Sequence, residues 1–409
     1  MKALLVDLRI ALLNLWRNTS RTSIAVLTVG GGAVAFLLAG GFITWIFHDM
    51  REATIHSQLG HIQVVRPGYF EKGIADPYAF LLPAQSELLE TIKSTPSVEV
   101  ATPRLAFSGL VSLGDATVAF IGEGVDPEFE RTISKRIAIT EGQDLTDNKE
   151  FAVILGEGLA KGLGAKVGDS VVLLATAANG NANAVEAKVS GLFSTISKDY
   201  DDNALRIPIA VARRLMRVGG ATSWVILLKD TGKTEAMVKA LSEKTAKSDF
   251  EFVPWTHLAD FYNKTVVLFS KQVEVVKIII GLIIVLTISN TQTMSVLERT
   301  TEIGTSLAIG LRRSTVLRLF LIEGGLIGVI GGVLGVLIGY GLSLLISYVG
   351  IPMPPPPGMV HGFTGEILVT PGLAGDALVM AVVTALLASI APAWKASRMV
   401  IVDALRANQ

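Results

Sequence analysis

The 409 residues include no cysteine. Thiolate metal sites and disulfide staples are therefore excluded, and the chain is safe in an oxidising compartment. An excess of one charge is also missing. Lysine and arginine total 36, and aspartate and glutamate total 36, so no global field points to nucleic acid as a partner. No GxxxxGK[ST] phosphate loop occurs, so the chain binds no nucleotide of its own through that motif. No nucleophile–base arrangement is legible, which argues against an enzyme. Residues 350–372 hold no lysine or arginine, and no charge interrupts residues 24–47.

What is present is apolar. Half of the residues are hydrophobic, more than an ordinary soluble domain carries, so part of the chain belongs in lipid. In segment 1–22, Leu4, Leu5, Leu8, Leu12, Leu15 and Trp16 form one broad face interrupted by Asp7, Arg9 and Arg17. That is the pattern of an amphipathic helix lying on a membrane surface. Segment 23–47 is long enough to cross a hydrocarbon core of about 30 Å. Ala33-Val34-Ala35 imitates a signal-peptide cleavage site, but the apolar run continues well past it, so an uncleaved anchor is expected.

From 48 to 265 charges return, and short alternating stretches such as Ile62-Gln63-Val64 and Ser170–Leu174 lie between turn residues. Helices are expected at 85–94, 205–218 and 234–247. This reads as an inserted α+β domain of one or two lobes. A stalk and second span follow at 266–293, as part of one long helix from His257 onward. There Lys271, Glu274 and Lys277 are spaced to stack and pair on one face. Spans three and four are 315–349 and 373–393, separated by a Pro-rich loop at 350–372.

Basic residues orient the whole. Lys2, Arg9, Arg17 and Arg21 precede span one, Arg299, Arg312, Arg313 and Arg318 lie between spans two and three, and Lys395, Arg398 and Arg406 end the chain. The positive-inside rule puts 1–22, 294–314 and 394–409 in the cytoplasm, with the large domain and the Pro-rich loop outside. The expected fold is an α-helical membrane protein with four transmembrane helices and an inserted α+β periplasmic domain.

The most informative stretch is cytoplasmic: Met294-Ser-Val-Leu-Glu-Arg-Thr-Thr-Glu-Ile-Gly-Thr-Ser-Leu-Ala-Ile-Gly310-Leu-Arg-Arg313. A helix is expected over 295–309 with Gly310 as its stop. Glu298 and Glu302 share a face, with Arg299 beside them. Ser295, Val296, Glu298, Arg299, Thr300, Glu302, Ile303, Gly304, Ala308 and Gly310 match the pattern "SV.ERT.EIG...A.G". The segment thus resembles the coupling helix of the MacB/FtsX/LolE superfamily of ATP-binding-cassette permeases. Asn14, Leu15, Arg17, Asn18 and Arg21 resemble that family's approach to span one. The close, from Ala391-Pro392-Ala393 through Ala404-Leu405-Arg406, resembles its end, although Ile401 or Val402 stands where proline is usual. In the outer domain Gly122–Pro127, Gly142–Leu145, Leu155–Glu157 and Gly168-Asp169 echo it too.

The resemblance implies a bacterial inner-membrane permease driven by a separate ATPase subunit that carries the ATP and magnesium, with no cofactor on this chain. Glu298, Arg299, Glu302, Ile303, Gly304, Arg312 and Arg313 would form the ATPase-coupling segment. It also implies a second permease chain, identical or not, with a lipoprotein carrier or a membrane-fusion adaptor as a possible further partner. Under the lipoprotein-release reading, Phe36, Phe42, Trp45 and Phe47 of span one, with Val267, Leu268 and Phe269 of the stalk, would wall a lipid-facing cavity. The competing readings are lipid-belt aromatics at these positions, adaptor-linked export of peptides or drugs, and a signalling permease of the cell-division type, whose outer domain is much smaller.

The remaining features are read as structural. Glu323 lies about nine residues into span three. An ionised carboxylate at that depth costs on the order of 2.5–3.5 kcal/mol, so it should face protein and brace span three against the coupling segment. Gly331, Gly335 and Gly339, with Gly328 and Gly332, form rows that let helices approach, within one chain or between two. The prolines of 351–359 make a stiff spacer or lever. His56 and His61 lack a third ligand and are assigned to the surface. Asp199, Asp201 and Asn203 imitate a calcium loop, but Ala204 and Ala210 occupy its glycine and glutamate positions.

Overall fold

With no charge and no proline to stop it, the first apolar run folds in the computed structural model as the middle of one long helix, α2 (Thr19–Thr54), preceded by α1 (Lys2–Arg17). Then come β1 (Ile62–Val65), α3 (Glu87–Lys93), β2 (Val98–Leu113), β3 (Ala116–Val125), α4 (Pro127–Ile133), β4 (Ala138–Gly142), β5 (Ala152–Gly156) and α5 (Glu157–Leu163). They are followed by β6 (Ser170–Thr176), β7 (Ala182–Ser194), α6 (Lys198–Asp201), β8 (Ala204–Pro208), α7 (Ile209–Met216), β9 (Ser223–Leu228), α8 (Thr234–Lys244), β10 (Glu251–Pro254) and α9 (Trp255–Leu258). The chain closes with α10 (Asp260–Glu298), α11 (Thr300–Ala308), α12 (Arg313–Val349) and α13 (Pro371–Ser397). The structure describes residues 2–73, 76–148, 150–195, 197–245, 249–354, 362–401 and 404; most of the polyproline segment lies outside them. Two compact units result: Met1–His48 with Val266–Pro352 and Thr364–Gln409, and Asp49–Thr265 with Met353–Phe363.

In the helical unit α2, α10, α12 and α13 are each long and apolar enough to cross a membrane. Glycine sets their spacing. A Cβ at Gly331 would meet Val29 at 2.7 Å, one at Gly335 would meet Ala33 at 2.6 Å, and one at Gly339 would meet Leu37 at 2.9 Å. This row of α12 is therefore seated on α2. Gly324, Gly328 and Gly332, on the neighbouring row, would strike Ser389, Ala385 and Leu378 of α13. Both glycine rows are intramolecular seams, each bringing two backbones close. Ile284 and Ile288 attach α10, buried with Phe36, Leu37 and Ala381. No ion pair joins Lys271, Glu274 and Lys277; the Lys277 ammonium instead lies 5.8 Å from the centre of the Phe36 ring.

The α+β unit has two lobes joined by one strand. β1-α3-β2 and β9-α8-β10 form a split βαβ lobe whose four strands lie in the order β10–β1–β9–β2, all antiparallel. Its core holds Ile62, Ile92, Trp224 and Leu241. Only residues 98–104 of β2 pair with β9; residues 105–113 pair with β3 and begin the second lobe. There β3–β8 and β5–β7 are parallel, and β6 closes against β2 and β7. Helices α5 and α7 cover this sheet through Leu159, Leu163, Ala212 and Leu215.

The helix expected over 205–218 begins only at Ile209. Leu205, Arg206 and Ile207 are claimed by pairing with β3 and β5, and Pro208 has no N–H to extend a ladder. The long helix expected from His257 is interrupted at Ala259 (φ −87°, ψ 58°) and restarts at Asp260.

Candidate coupling site

The segment between the second and third apolar helices is not one helix. At Arg299 the backbone leaves helical geometry (φ −97°, ψ 15°), so α10 ends at Glu298 and α11 starts at Thr300. Gly310, at φ 103°, then turns the chain into α12, a conformation that a side chain would strain. Ile303 and Leu307 seat α11 in an apolar socket made by Val296, Val316, Phe320, Ala393 and Ala396. Gly304 also faces inward, where a Cβ would meet Ala404 at 2.6 Å. Of the predicted coupling residues, Ile303 and Gly304 therefore anchor the helix rather than present a surface.

The charged members divide in two. Arg299 turns inward, its side chain 11 % exposed; it donates to the buried Glu323 carboxylate at 3.1 Å and lies 5.4 Å from the Phe320 ring centre. Asn14 of α1 donates to the same carboxylate at 2.7 Å. Glu323 thus has two partners, as its depth in an apolar helix demands. Glu298 and Glu302 point outward to α1 and α2. Arg17 donates from Nη2 to both Glu302 oxygens, at 2.7 and 2.9 Å, and holds that carboxyl below its ordinary range. Arg21 grips Glu298 as a two-nitrogen fork, Nη1 and Nη2 each donating to one carboxylate oxygen. The bend between α1 and α2 is pinned by Thr22, whose Oγ1 donates to the Leu15 carbonyl at 2.9 Å. Asp7 and Arg318 add an ion pair between α1 and α12 at 2.5 Å.

Arg312 and Arg313 are exposed beside Leu311 and Ile309, the latter 83 % exposed. This apolar pair and the clamp residues Asn14, Arg17 and Arg21 were not singled out as site residues from the sequence. The signal for the clamp was present: Arg17 and Arg21 share the four-residue spacing of Glu298 and Glu302.

The predicted wall residues separate as well. Phe42 stacks on Trp45 (6.5 Å, 17°), and Phe47 meets Phe269 edge-on (6.4 Å, 80°). Val267 and Leu268 are exposed. Phe36 is enclosed in the bundle core, so it contributes packing and no open wall.

The α+β unit holds a second charged cluster. Arg104 of β2 donates to Glu130 of α4 from Nε (3.1 Å) and Nη2 (2.5 Å), and Arg206 of β8 reaches the same carboxylate at 3.3 Å. Arg206 also bonds Glu123 at 2.8 Å and donates to the Ser57 carbonyl at 2.9 Å, while Arg104 donates to the Gln58 carbonyl. The two arginines hold the Glu130 carboxyl below its ordinary range against the opposing effect of burial. His61, assigned to the surface from sequence, is buried. Its Nδ1 accepts from the Leu228 N–H (3.0 Å) and its Nε2 lies 2.9 Å from Thr231 Oγ1, so the neutral Nε2–H tautomer fits both; burial lowers its pKa to about 4. Asp201 turns inward and accepts from the N–H (2.9 Å) and Oγ1 (2.8 Å) of Thr195.

Comparison with known proteins supplies the family. Residues 22–244 match the model of the MacB-like periplasmic core domain, and residues 275–401 match that of the FtsX-like permease C-terminal region. The chain belongs to this family of ABC transporter permeases. It is 28 % identical over 220 residues to an uncharacterized ABC transporter permease of Methanocaldococcus jannaschii, covering 51 % of this permease and 52 % of that one. The lipoprotein-releasing system transmembrane protein LolC of Xylella fastidiosa is 27 % identical over 334 residues, 76 % of this permease and 78 % of LolC. The macrolide export ATP-binding/permease protein MacB of Escherichia coli is 27 % identical over 257 residues, 59 % of this permease but 38 % of MacB. The permease thus spans about half the length of the first of these relatives and less of MacB. Among solved structures, the periplasmic region of MacB from Actinobacillus actinomycetemcomitans is similar with a TM-score of 0.38 at 15 % identity, over 53 % of this permease and 96 % of that region.

Proposed function

We propose that this permease is the non-hydrolysing membrane subunit of an inner-membrane ABC transporter that takes lipoprotein or lipid out of the membrane. It works with a separate ATPase subunit and a second permease chain. The observation that carries the cargo reading is extent. MacB proteins align over as much as 83 % of this chain but over 38–53 % of their own length, whereas the alignment with LolC covers 76 % of this chain and 78 % of LolC, so what favours LolC is the share of the relative that is matched. The coupling reading is supported by the seating of α11. A push on this helix loads α10 and α12 through Ile303, Leu307 and the Arg299–Glu323 pair, and loads α1 and α2 through the two arginine clamps. The free outer face, Ile309, Leu311, Arg312 and Arg313, is where the ATPase would press.

The test is photocrosslinking in membranes with probes at Phe42 and Phe269. Acylated protein captured at both sites, and lost when ATP turnover of the partner is blocked, is the expected result. Capture of phospholipid and neighbouring helices alone would overturn lipoprotein extraction. The second reading, adaptor-linked export of peptides or drugs, is favoured by the MacB-like match over 22–244. It predicts that an adaptor, and not an acylated protein, is captured by probes on the α+β unit.

A further inference from the structure

Lys277 is the last charge of α10 before a long uncharged run, since residues 278–297 carry none. At 1.5 Å per residue that run is roughly 30 Å long, the thickness of a hydrocarbon core. Its far end meets Glu298 and Arg299 at the arginine-rich end of the bundle, so Lys277 stands at the opposite, outer rim. A lysine at such a rim ordinarily snorkels, carrying its ammonium out to the water. This one turns inward. It is half-buried, and its ammonium lies 5.8 Å from the centre of the Phe36 ring of α2.

That position leaves the ammonium short of acceptors. It has three N–H donors, and the face of Phe36 attracts its charge without offering a lone pair. Val273 and Ile280, about one turn to either side on α10, pack against the same apolar core as Phe36. Among the described residues neither Glu274 nor any other carboxylate pairs with Lys277. An ionised residue at membrane depth with no counter-ion from the protein marks a ligand site. At this rim the anions at hand are the phosphodiesters of lipid headgroups, whose oxygens accept what an ammonium donates. Beyond Lys277 and Phe36 the same two helices carry the Phe42–Trp45 stack and the edge-on pair Phe47–Phe269, aromatic surface suited to the headgroup level.

We propose that Lys277 binds the headgroup phosphate of a lipid at the outer rim of the bundle and selects an anionic phospholipid over a zwitterionic one. A zwitterionic headgroup carries its own cation beside the phosphate, so it gains less from the lysine. This rests on the lipid-extraction reading above and narrows it, because negative charge on the headgroup becomes a criterion of entry.

The chain has no native cysteine, so the charge can be removed and rebuilt at one position. The full-length permease is placed in nanodiscs of phosphatidylglycerol and phosphatidylcholine in equal parts, and native mass spectrometry reads the ratio of the two lipids that stay bound. Lys277→Gln is expected to lower the preference for phosphatidylglycerol about fivefold, the attraction that one lysine contributes near anionic lipid. Lys277→Cys should lose the preference equally, regain it after aminoethyl methanethiosulfonate, which restores an ammonium, and not after the neutral ethyl reagent. Lys271→Gln, at an exposed position of the same helix, should leave the ratio unchanged. An unchanged ratio in Lys277→Gln, equal rescue by both reagents, or an equal loss in Lys271→Gln overturns the site, while the probes at Phe42 and Phe269 still decide the extraction reading. Phosphatidylglycerol held through Lys277, with neither lipid nor acylated protein captured at those probes, overturns extraction and leaves Lys277 the site of a resident lipid.

Discussion

Removing the Glu130 carboxylate tests whether the buried charges of the α+β unit act as one network. Glu130→Gln keeps the shape of the side chain and abolishes the charge that two buried arginines share. Among the described residues Arg104 would retain Glu123, at 3.9 Å, and the Gln58 carbonyl; Arg206 would retain Glu123, the Ser57 carbonyl and Ser134 Oγ. Breaking a buried ion pair from one side costs about 3–5 kcal/mol, because the remaining charge stays desolvated. For a unit of this size that corresponds to a fall in midpoint of roughly 6–20 °C. Intrinsic fluorescence of the full-length permease in detergent is the assay. Trp255 packs in the same cluster as Ile133, one helical turn from Glu130, and reports the local transition. The Glu130 carboxyl is held low in the folded state, so its stabilisation is fully present above its unfolded pKa and is lost as pH falls through the folded value. The deficit of Glu130→Gln should therefore be widest near neutral pH and narrow in acid. A midpoint within about 2 °C of wild type at pH 7, below one kcal/mol on the same scale, would refute the reasoning.

Burial of neutral His61 gives a second pH signature. Its folded pKa of about 4 lies below the ordinary 6.5, so stability present above pH 6.5 falls away between 6.5 and 4, by on the order of 3 kcal/mol. His56, Glu52, Glu99 and Arg51 face the same ring, and His61→Gln should flatten that limb of the pH–stability curve. Gly335→Ala drives a methyl into Ala33 and the Gly30 carbonyl and should cost about 1–3 kcal/mol in detergent melts, whereas Gly341→Ala, with nothing within 4 Å, should be neutral. Arg299→Ala leaves Glu323 with Asn14 alone and should lower the aggregation midpoint by the equivalent of about 3–5 kcal/mol; Glu323→Gln deprives the Arg299 guanidinium of its buried carboxylate but leaves it Glu302 at 3.5 Å, and should lower the midpoint less. Arg17→Ala should shift the midpoint by less than about 1 kcal/mol, because its pair with Glu302 is half exposed.

The spans were legible because lipid enforces long uncharged runs, and the two glycine rows were legible because their spacing repeats along one helix. Glu323 was legible as a residue that needs a partner. Arg299 was not legible as that partner. A helical pattern continuous from 295 to 309 hides the break at Arg299, which arises from packing of Ile303 and Leu307 into a socket contributed by distant helices. The same limit applies to β2. It is sixteen residues long, yet the first part pairs with β9, more than a hundred residues away, and the second with β3, a division that nothing local in the sequence marks. His61 carried no local signal either, since its two partners are a backbone N–H and a threonine contributed by another part of the fold.

The coupling site combines one strong tie and two weak ones. Arg299–Glu323 is buried, so breaking it strands a charge, and it ties the start of α11 to the third apolar helix. Arg17–Glu302 is half exposed and Arg21–Glu298 partly exposed, and pairs of that kind contribute a fraction of a kcal/mol each. Their value lies in spacing. Two arginines four residues apart meet two carboxylates four residues apart, so the clamp fixes an angle as well as a distance and holds only while the α1–α2 bend and the α11 segment stay aligned. A tie that is weak in stability and strict in geometry can release and re-form with little energy, whereas the buried pair cannot. The Arg17–Arg21 clamp is therefore the part of the site suited to change between states, and the Arg299–Glu323 pair is the pivot about which it would change.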